Sequence, residues 1–590
     1  MARRWEPPGL PALWNEDLSA LEFFWSGTYP NERGFQLYHD LQFDSELTGF
    51  NYSSFLLQRE TLAMIAGQGR LDFEAMAHFR MAETAGWLGN LEEEKNELES
   101  YKKVLEQLPD HSDAKLLYTA YCDIGAARLA MHSGDQVQAN TILKAAEEGL
   151  ESRDNLALKL EYMTSRADLA RIGSDPSAEE AFLRRIIGIG ENQAEKLKLS
   201  SDRWHWLQLL DRSHRRLLEV ILAKPHIATQ TFAFWHQWRL LQTAQEAETG
   251  KDSIRNLLHD LHSGRMISFA VLSHSIVVWV VNSREVHEYL LPVDADAVRE
   301  EARIFYQLCS DPNSNIEKVN ASGSRLYQML IAPLEQELGK GGHLVVEADS
   351  YLNLVPWAAL RIQSGHYWGE MESFTLRTGF SRRRVNMYAI KPLQRMLIAT
   401  PGSTTVDGIT YLPVFKAQEE GAVVESFFPR ASRLLPGQSS ASRLRAELKR
   451  AEGLHFVGHA ITRQEGGELI TDEDGKAPFL TAGMLRNTDM PKLQLVVLSA
   501  CSTASPEGSA EGDPGGLVQA FVAAGVPTVV ASRWDVDSSS TAELMTAFYQ
   551  QMAATGQPEK ALALASRSLI AGIRFRHPYY WSAFQVFSSN

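Results

Sequence analysis

Two short apolar runs decide how this chain is read: Leu454-His-Phe-Val-Gly-His459-Ala460 and Leu495-Val-Val-Leu-Ser-Ala-Cys501-Ser-Thr-Ala504. Each has the length and continuous apolar character of a buried β-strand. Each ends on one reactive side chain, His459 in the first and Cys501 in the second. In an open α/β sheet, ligands and chemistry collect at the carboxyl ends of the strands. A thiol and an imidazole delivered there together are the minimum equipment for nucleophilic catalysis by cysteine.

Outward from these runs the pattern is regular. Strands are predicted at His343–Glu347, Arg395–Ala399, Leu454–Val457, Leu493–Leu498 and Thr528–Ala531, with helices near 416–427, 440–451, 515–524, 540–553 and 558–571. Such alternation predicts a mostly parallel sheet flanked by helices on both faces. Ser540-Thr-Ala-Glu543 has the form of a capping box, and Gly525 and Gly556 are placed as helix stops. Upstream, Met266–Leu272, Ser275–Val281 and Val286–Leu291 are β-rich, and one long helix is expected over Ile316–Leu338.

Before residue 262 the pattern is different. From about 15 to 260, charged residues interleave with Leu, Ala, Tyr and Phe at spacings of three and four, the signature of amphipathic helices. Pro109, Gly134-Asp135 and Gly173-Ser-Asp-Pro176 mark helix ends. Gly89-Asn90, Gly134-Asp135 and Gly173-Ser174 recur at spacings of roughly 40 residues, near the 34-residue period of tetratricopeptide repeats. The alternative is a generic antiparallel helix array; either way, stacked helix pairs present an extended groove suited to a peptide or protein. The expected division is therefore 1–261, an all-α helical-repeat domain, and 262–590, an α/β domain.

Composition sets outer bounds. At 590 residues the chain is too long for one core, and two to four domains are expected. The net charge of −15 argues against a broad nucleic-acid-binding surface. Three cysteines, Cys122, Cys309 and Cys501, make no disulfide framework and suit a reducing cytosol. The amino terminus lacks the apolar segment of a signal peptide, and no apolar run is long enough for a membrane span. A cytoplasmic protein is expected.

Around Cys501, the small residues Ser499, Ala500, Ser502, Thr503 and Ala504 leave room for a substrate, and Ser505–Gly516 is a polar loop. Glu507, Glu511 and Asp513 in that loop are suited to attract basic substrates, the commoner alternative being a loop that is only solvated. His455 and His459 have the spacing of a helical metal pair, but on a strand they stand about 13 Å apart, too far for one zinc. No metal and no cofactor is expected, and no Walker-type phosphate loop occurs. The polar stretch Glu465–Lys476, between the two decisive runs, reads as a hairpin.

The chain resembles CHAT-domain peptidases, caspase-like domains found with tetratricopeptide repeats, over roughly 265–590. The resemblance rests on Val345-Val-Glu-Ala-Asp-Ser-Tyr-Leu-Asn-Leu-Val-Pro-Trp-Ala-Ala-Leu360, Leu412-Pro-Val-Phe-Lys-Ala-Gln-Glu-Glu420, Leu454–Ala460, Leu495–Ala504, Gly515–Pro527, Ser532-Arg-Trp-Asp-Val-Asp537 and His577-Pro-Tyr-Tyr-Trp581, in that order. It extends more distantly to separase and the caspases. It implies a pseudo-protease-like half over 262–390 and a half carrying the dyad over 391–590. It implies Cys501 as nucleophile, His459 as base and then acid, and the backbone N–H groups of Cys501 and Ala460 as the oxyanion hole. The family has His-Gly where this chain has His459-Ala460; the added methyl keeps the N–H but restricts the backbone. By the same resemblance Asp535, and Asp537 with it, would bind a basic residue of a protein substrate, although acids also suit the start of the helix that follows. Such proteins act in bacterial defence or programmed death under control of a partner or ligand at the repeats. The alternative function is a non-catalytic scaffold.

Overall fold

The computed structural model describes the chain outside residues 1–50, 66–68, 152–154, 198–199, 244–256, 258–260, 262–263, 340, 379–391, 407, 464–465, 476–477, 501–515 and 589–590. Packing divides it into two compact units, Met1–Pro225 and His226–Asn590.

The described part of the first unit is helical: α1 (Asn51–Ile65), α2 (Leu71–Trp87), α3 (Leu91–Glu106), α4 (Asp113–His132), α5 (Gln136–Glu151), α6 (Leu156–Ile172), α7 (Pro176–Lys196) and α8 (Ser200–Leu222). Each helix packs on the next, and α4 also packs on both α2 and α6, so helical hairpins stack in series. One turn is used three times. Asn90 N–H donates to Ala85 O at 2.9 Å, Asp135 to Ala130 and Asp175 to Ala170 both at 2.8 Å. The residue before each donor is left-handed: Gly89 (φ 74°), Gly134 (φ 84°) and Ser174 (φ 54°). The donor's own side chain then caps the next helix, as when Asp135 Oδ1 accepts from Gln138 N–H at 2.9 Å. The unit is thus tetratricopeptide-like, as the recurring Gly-Asn and Gly-Asp pairs predict.

The second unit opens with α9 (Ala228–Thr243) and then β1 (Arg265–Val271), β2 (Ile276–Val281), β3 (Val286–Leu291), α10 (Ala295–Ser310), α11 (Ile316–Leu330), β4 (Gly342–Glu347), β5 (Glu372–Arg377), β6 (Met396–Ala399), β7 (Thr404–Val406), β8 (Ile409–Tyr411), α12 (Ala417–Ser426), β9 (Ser432–Leu434), α13 (Ala441–Leu448), β10 (Gly453–Gly458), β11 (Ala460–Arg463), β12 (Gly466–Ile470), β13 (Phe479–Thr481), β14 (Leu495–Ala500), α14 (Leu517–Ala523), β15 (Thr528–Ser532), α15 (Ser538–Thr555), α16 (Pro558–Ala571) and β16 (Phe584–Ser588). Among the described residues, eleven strands form one sheet in the order β3-β2-β1-β4-β5-β16-β15-β14-β10-β6-β9. Its ladders are parallel except β1–β2, β2–β3 and β15–β16. This is a mostly parallel α/β sheet flanked by helices. Strands β10, β14 and β15 are buried along their whole length, which is why they read as unbroken apolar runs.

β16 sets the geometry of the sheet. It runs parallel to β5 and antiparallel to β15, so the two halves of the sheet point in opposite directions. Neither β5 nor β16 was anticipated, because both are short and carry polar residues within the run. The compact unit also begins upstream of residue 262, where the strand pattern starts. Helix α9 belongs to it: Trp235 Nε1–H donates to Phe269 O at 2.9 Å, and Arg239 Nη2 to Ala348 O at 3.1 Å. The expected long helix ends at Leu330 and continues as the short 3₁₀ turn Ala332–Leu334, where Pro333 lacks the N–H that an α-helix needs. The expected cap at Ser540 is corrected too, since Asp537 caps α15 and Ser540 N–H is its donor, at 2.8 Å. Among the described residues no helix is long and apolar enough to cross a membrane.

Candidate active site

β10 and β14 are adjacent and parallel, with register running from Gly453 opposite Leu495 to Gly458 opposite Ala500. The next residues in the sequence are His459 and Cys501. Cys501 lies outside the described residues, as do Glu507, Glu511 and Asp513 of the loop that follows. What is described is the frame that delivers both. Ser532, at the end of β15, donates its buried hydroxyl to the carbonyl of Ala500 and so ties the last residue of β14 to its other neighbour.

His459 is half-buried, between β10 and β11. Its Nε2 is 2.7 Å from the carbonyl oxygen of Leu412, just beyond β8. A carbonyl only accepts, so Nε2 carries a proton and Nδ1 is the nitrogen left to exchange one. The Tyr411 ring lies against the imidazole, centroids 5.5 Å apart. The carbonyl of His459 accepts from Ile470 N–H at 2.9 Å. That bond makes His459–Ile470 a hydrogen-bonded pair, so the neighbouring pair, Ala460 opposite Leu469, is a non-bonded one. The Ala460 N–H therefore points away from β12, as an oxyanion donor must. The polar stretch from 465 contributes β12, which pairs with both β11 and β13.

Asp535 is exposed beyond the end of β15. Asp537 is half-buried and commits its Oδ1 to the α15 cap, which was the structural alternative for this residue. Trp534 and Trp581 are buried, and their indole N–H groups donate to the carbonyls of Tyr579 and Arg576, both at 3.1 Å. The two other cysteines are buried. Burial pushes the Cys122 thiol up to about 11 and that of Cys309 further, so neither is poised as a thiolate at neutral pH.

Two partners of the site are absent from the sequence reading: the Leu412 carbonyl and Ser532. Arg533 is buried beside the end of β15, donating to Gln585 Oε1 at 2.8 Å and to the carbonyl of Asn353, and burial brings its guanidinium down to about 10. A backbone carbonyl has no sequence signature. Ser532 gains its role only from the adjacency of β15 and β14.

Residues 320–589 match the family model of the CHAT domain. The chain is similar to human tetratricopeptide repeat protein 28, with 22% identity over 320 residues, and to its mouse counterpart, with 23% over 322. Each match covers 45% of this chain and 13% of the relative, so the chain spans a small fraction of those proteins. Among solved structures it is similar to separase of Saccharomyces cerevisiae in complex with securin, at 10% identity and a TM-score of 0.40, covering 97% of this chain and 56% of that one.

Proposed function

We propose that this chain is a cysteine endopeptidase, with Cys501 as nucleophile and His459 as its base. The observation that carries the reading is the common end point of β10 and β14, from which His459 and Cys501 are the next residues, with the His459 ring held through Nε2 by the Leu412 carbonyl. In the reading, His459 Nδ1 takes the thiol proton and the resulting imidazolium stabilises the thiolate. The thiolate attacks the scissile carbonyl carbon, and the oxyanion is met by the N–H groups of Ala460 and Cys501. Collapse of the tetrahedral species breaks the C–N bond, the amine leaves with the proton from His459, and a thioester remains. Water, deprotonated by His459, then releases the acid product and restores the thiol.

The preferred substrate is a protein cut after a basic residue. Asp535, exposed at the same strand-end edge, would pair with the guanidinium or ammonium. Asp537, whose Oδ1 accepts from Ser540 N–H, is the second candidate. The stacked helical hairpins would receive the regulatory protein or ligand. The deciding experiment is labelling with a peptidyl acyloxymethyl ketone ending in arginine, alone and with cell extract as a source of activator. An adduct on Cys501, absent in His459→Ala, is expected, and Cys501→Ala should abolish cleavage of any substrate so found. No adduct under either condition would replace the peptidase with the scaffold reading.

A further inference from the structure

Beneath His459, β10 carries a second histidine that takes no part in the proposed reaction. His455 is fully buried, and both of its ring nitrogens are engaged. Nε2 lies 3.0 Å from Glu420 Oε1 on α12, and Nδ1 lies 3.0 Å from the Tyr549 hydroxyl on α15. Glu420 and Tyr549 are buried as well. Burial raises the Tyr549 phenol well above its ordinary range, so its O–H is intact and able to donate to Nδ1, while Nε2–H donates to Glu420. The Phe427 and Phe428 rings pack on Tyr549 and close the group off from water. A buried polar set of this kind is strong when complete and costly when broken.

Its position gives it a further consequence. Glu420 stands in the first turn of α12, and the segment leading into that turn starts at Leu412, whose carbonyl orients His459. That segment has little core of its own: Leu412 and Phe415 are 68% and 73% exposed. It also holds a strained residue, since Lys416 adopts a left-handed conformation (φ 69°), which costs a non-glycine residue about 1 kcal/mol and persists only where the surroundings enforce it. The segment is therefore fixed from its ends. At one end the short β7–β8 hairpin is held by Thr404 Oγ1–H donating to Thr471 O at 2.8 Å. At the other, the first turn of α12 is pinned by Glu420 on His455 and by Gln418 Nε2 donating to Thr400 Oγ1 at 3.0 Å.

We propose that Glu420, His455 and Tyr549 are positioning residues for His459: they hold the first turn of α12, and through it the Leu412 carbonyl that fixes the proton on His459 Nε2. This rests on His459 and Cys501 forming the dyad. If the carbonyl drifts, Nε2 loses its acceptor, the imidazolium is less well stabilised, and the thiolate of Cys501 forms only at higher pH. The test is the rate of Cys501 alkylation by iodoacetamide in the full chain, read by mass spectrometry across pH, for the unchanged protein, His459→Ala, Glu420→Gln and Tyr549→Phe. The unchanged protein should show a midpoint below the ~8.5 of a free thiol. Glu420→Gln and Tyr549→Phe should move it upward and slow alkylation at pH 6.5 by about tenfold. Simple loosening of the core would lower the melting temperature without moving the midpoint. Tyr549→Phe keeps the ring and removes only the hydroxyl, so it decides alone if Glu420→Gln does not fold. If His459→Ala raises the midpoint and both network variants superimpose on the unchanged protein, the positioning role is overturned and the dyad stands. If His459→Ala changes nothing, both fall together.

Discussion

The two units bury charge in different places. In the helical unit the buried ions lie on helices and bridge from one helix to the next. Arg128 of α4 donates to Glu83 of α2 and Glu161 of α6, both at 2.6 Å, and to Ser165 Oγ at 3.0 Å. Arg216 of α8 repeats the device with Glu179 of α7 and Asp168 of α6, at 2.6 and 2.7 Å. In the sheet unit several buried charges stand at strand ends: Glu347 closes β4, Arg377 closes β5, and Arg533 follows β15. Inside the strands of the eleven-stranded sheet the buried side chains are mostly apolar, and the buried polar ones, such as Ser268, Thr375 and His455, are uncharged residues or a histidine rather than paired carboxylates and arginines. The difference follows from how register is set. A strand is placed by its backbone ladder and by the strict alternation of its faces, so its interior needs no further instruction. Two stacked helices share no backbone hydrogen bonds, and an arginine that bridges carboxylates on neighbouring helices fixes their register instead.

The strongest way to break that comparison is Arg128→Ala. Removing Arg128 leaves Glu83 and Glu161 with the half-buried Arg80 alone, which donates to them at 2.7 and 3.1 Å, and a loss of about 3 kcal/mol, the low end for breaking a buried pair, is expected. Hydrogen exchange should show it as lost protection in α2, α4 and α6 while the β10 and β14 amides keep theirs. Loss spread evenly over both units would mean that the arginine does not act as a local register device.

The repeated turn offers a smaller test. A Cβ added at Gly134 meets nothing within 4 Å, so Gly134→Ala isolates the cost of the left-handed backbone, about 1 kcal/mol in denaturant titration. Ser174 holds the equivalent position with a side chain, so Ser174→Gly should gain no more than a few tenths of a kcal/mol, relieved strain being offset by a freer unfolded chain. Opposite signs for the pair would establish that the two turns are one motif.

The smallest effect is a pH dependence confined to the helical unit. His132 Nδ1 lies 2.9 Å from Glu94, and that bond raises the imidazole above its ordinary value against the opposing pull of burial and of Arg128, with Asp168 adding to the rise. A raised pKa means stability that is fully present below about 6.5 and is lost as pH climbs through the folded value. The urea midpoint should fall slightly between pH 6 and pH 9, by less than about 1 kcal/mol for so partly exposed a pair. In His132→Gln that component should vanish, and an unchanged slope would assign it elsewhere.

Much of this was legible in the chain itself. The helical strings before residue 262, the β-rich segment after it and the alternation from His343 onward carry the two-part architecture because periodicity reports which faces are buried. His459 and Cys501 stand out because apolar runs end on them. Other elements were not legible. β5, Glu372-Ser-Phe-Thr-Leu-Arg377, mixes polar and apolar residues over six positions, and β16 lies at the far end of the chain from the strand it accompanies. Yet these two occupy the middle of the sheet and set the opposed directions of its halves. The site shows the same limit. The acceptor that orients His459 is a main-chain oxygen, and the buried set below it joins residues from α12, β10 and α15 whose sequence neighbourhoods have nothing in common.

Local sequence suffices for the residue types that can do chemistry, the strands that end on them, and the helical repeats that precede them. These are local properties, written in the spacing of apolar residues and in the turn residues between them. Long-range folding is what stops β10 and β14 in register, sets Leu412 O on His459 Nε2, turns one Asp537 oxygen to the α15 cap, and brings Glu420 and Tyr549 to His455. Each of those depends on distance between segments far apart in the chain, and through-space distance is set by the closing of the sheet rather than by any run of neighbouring residues.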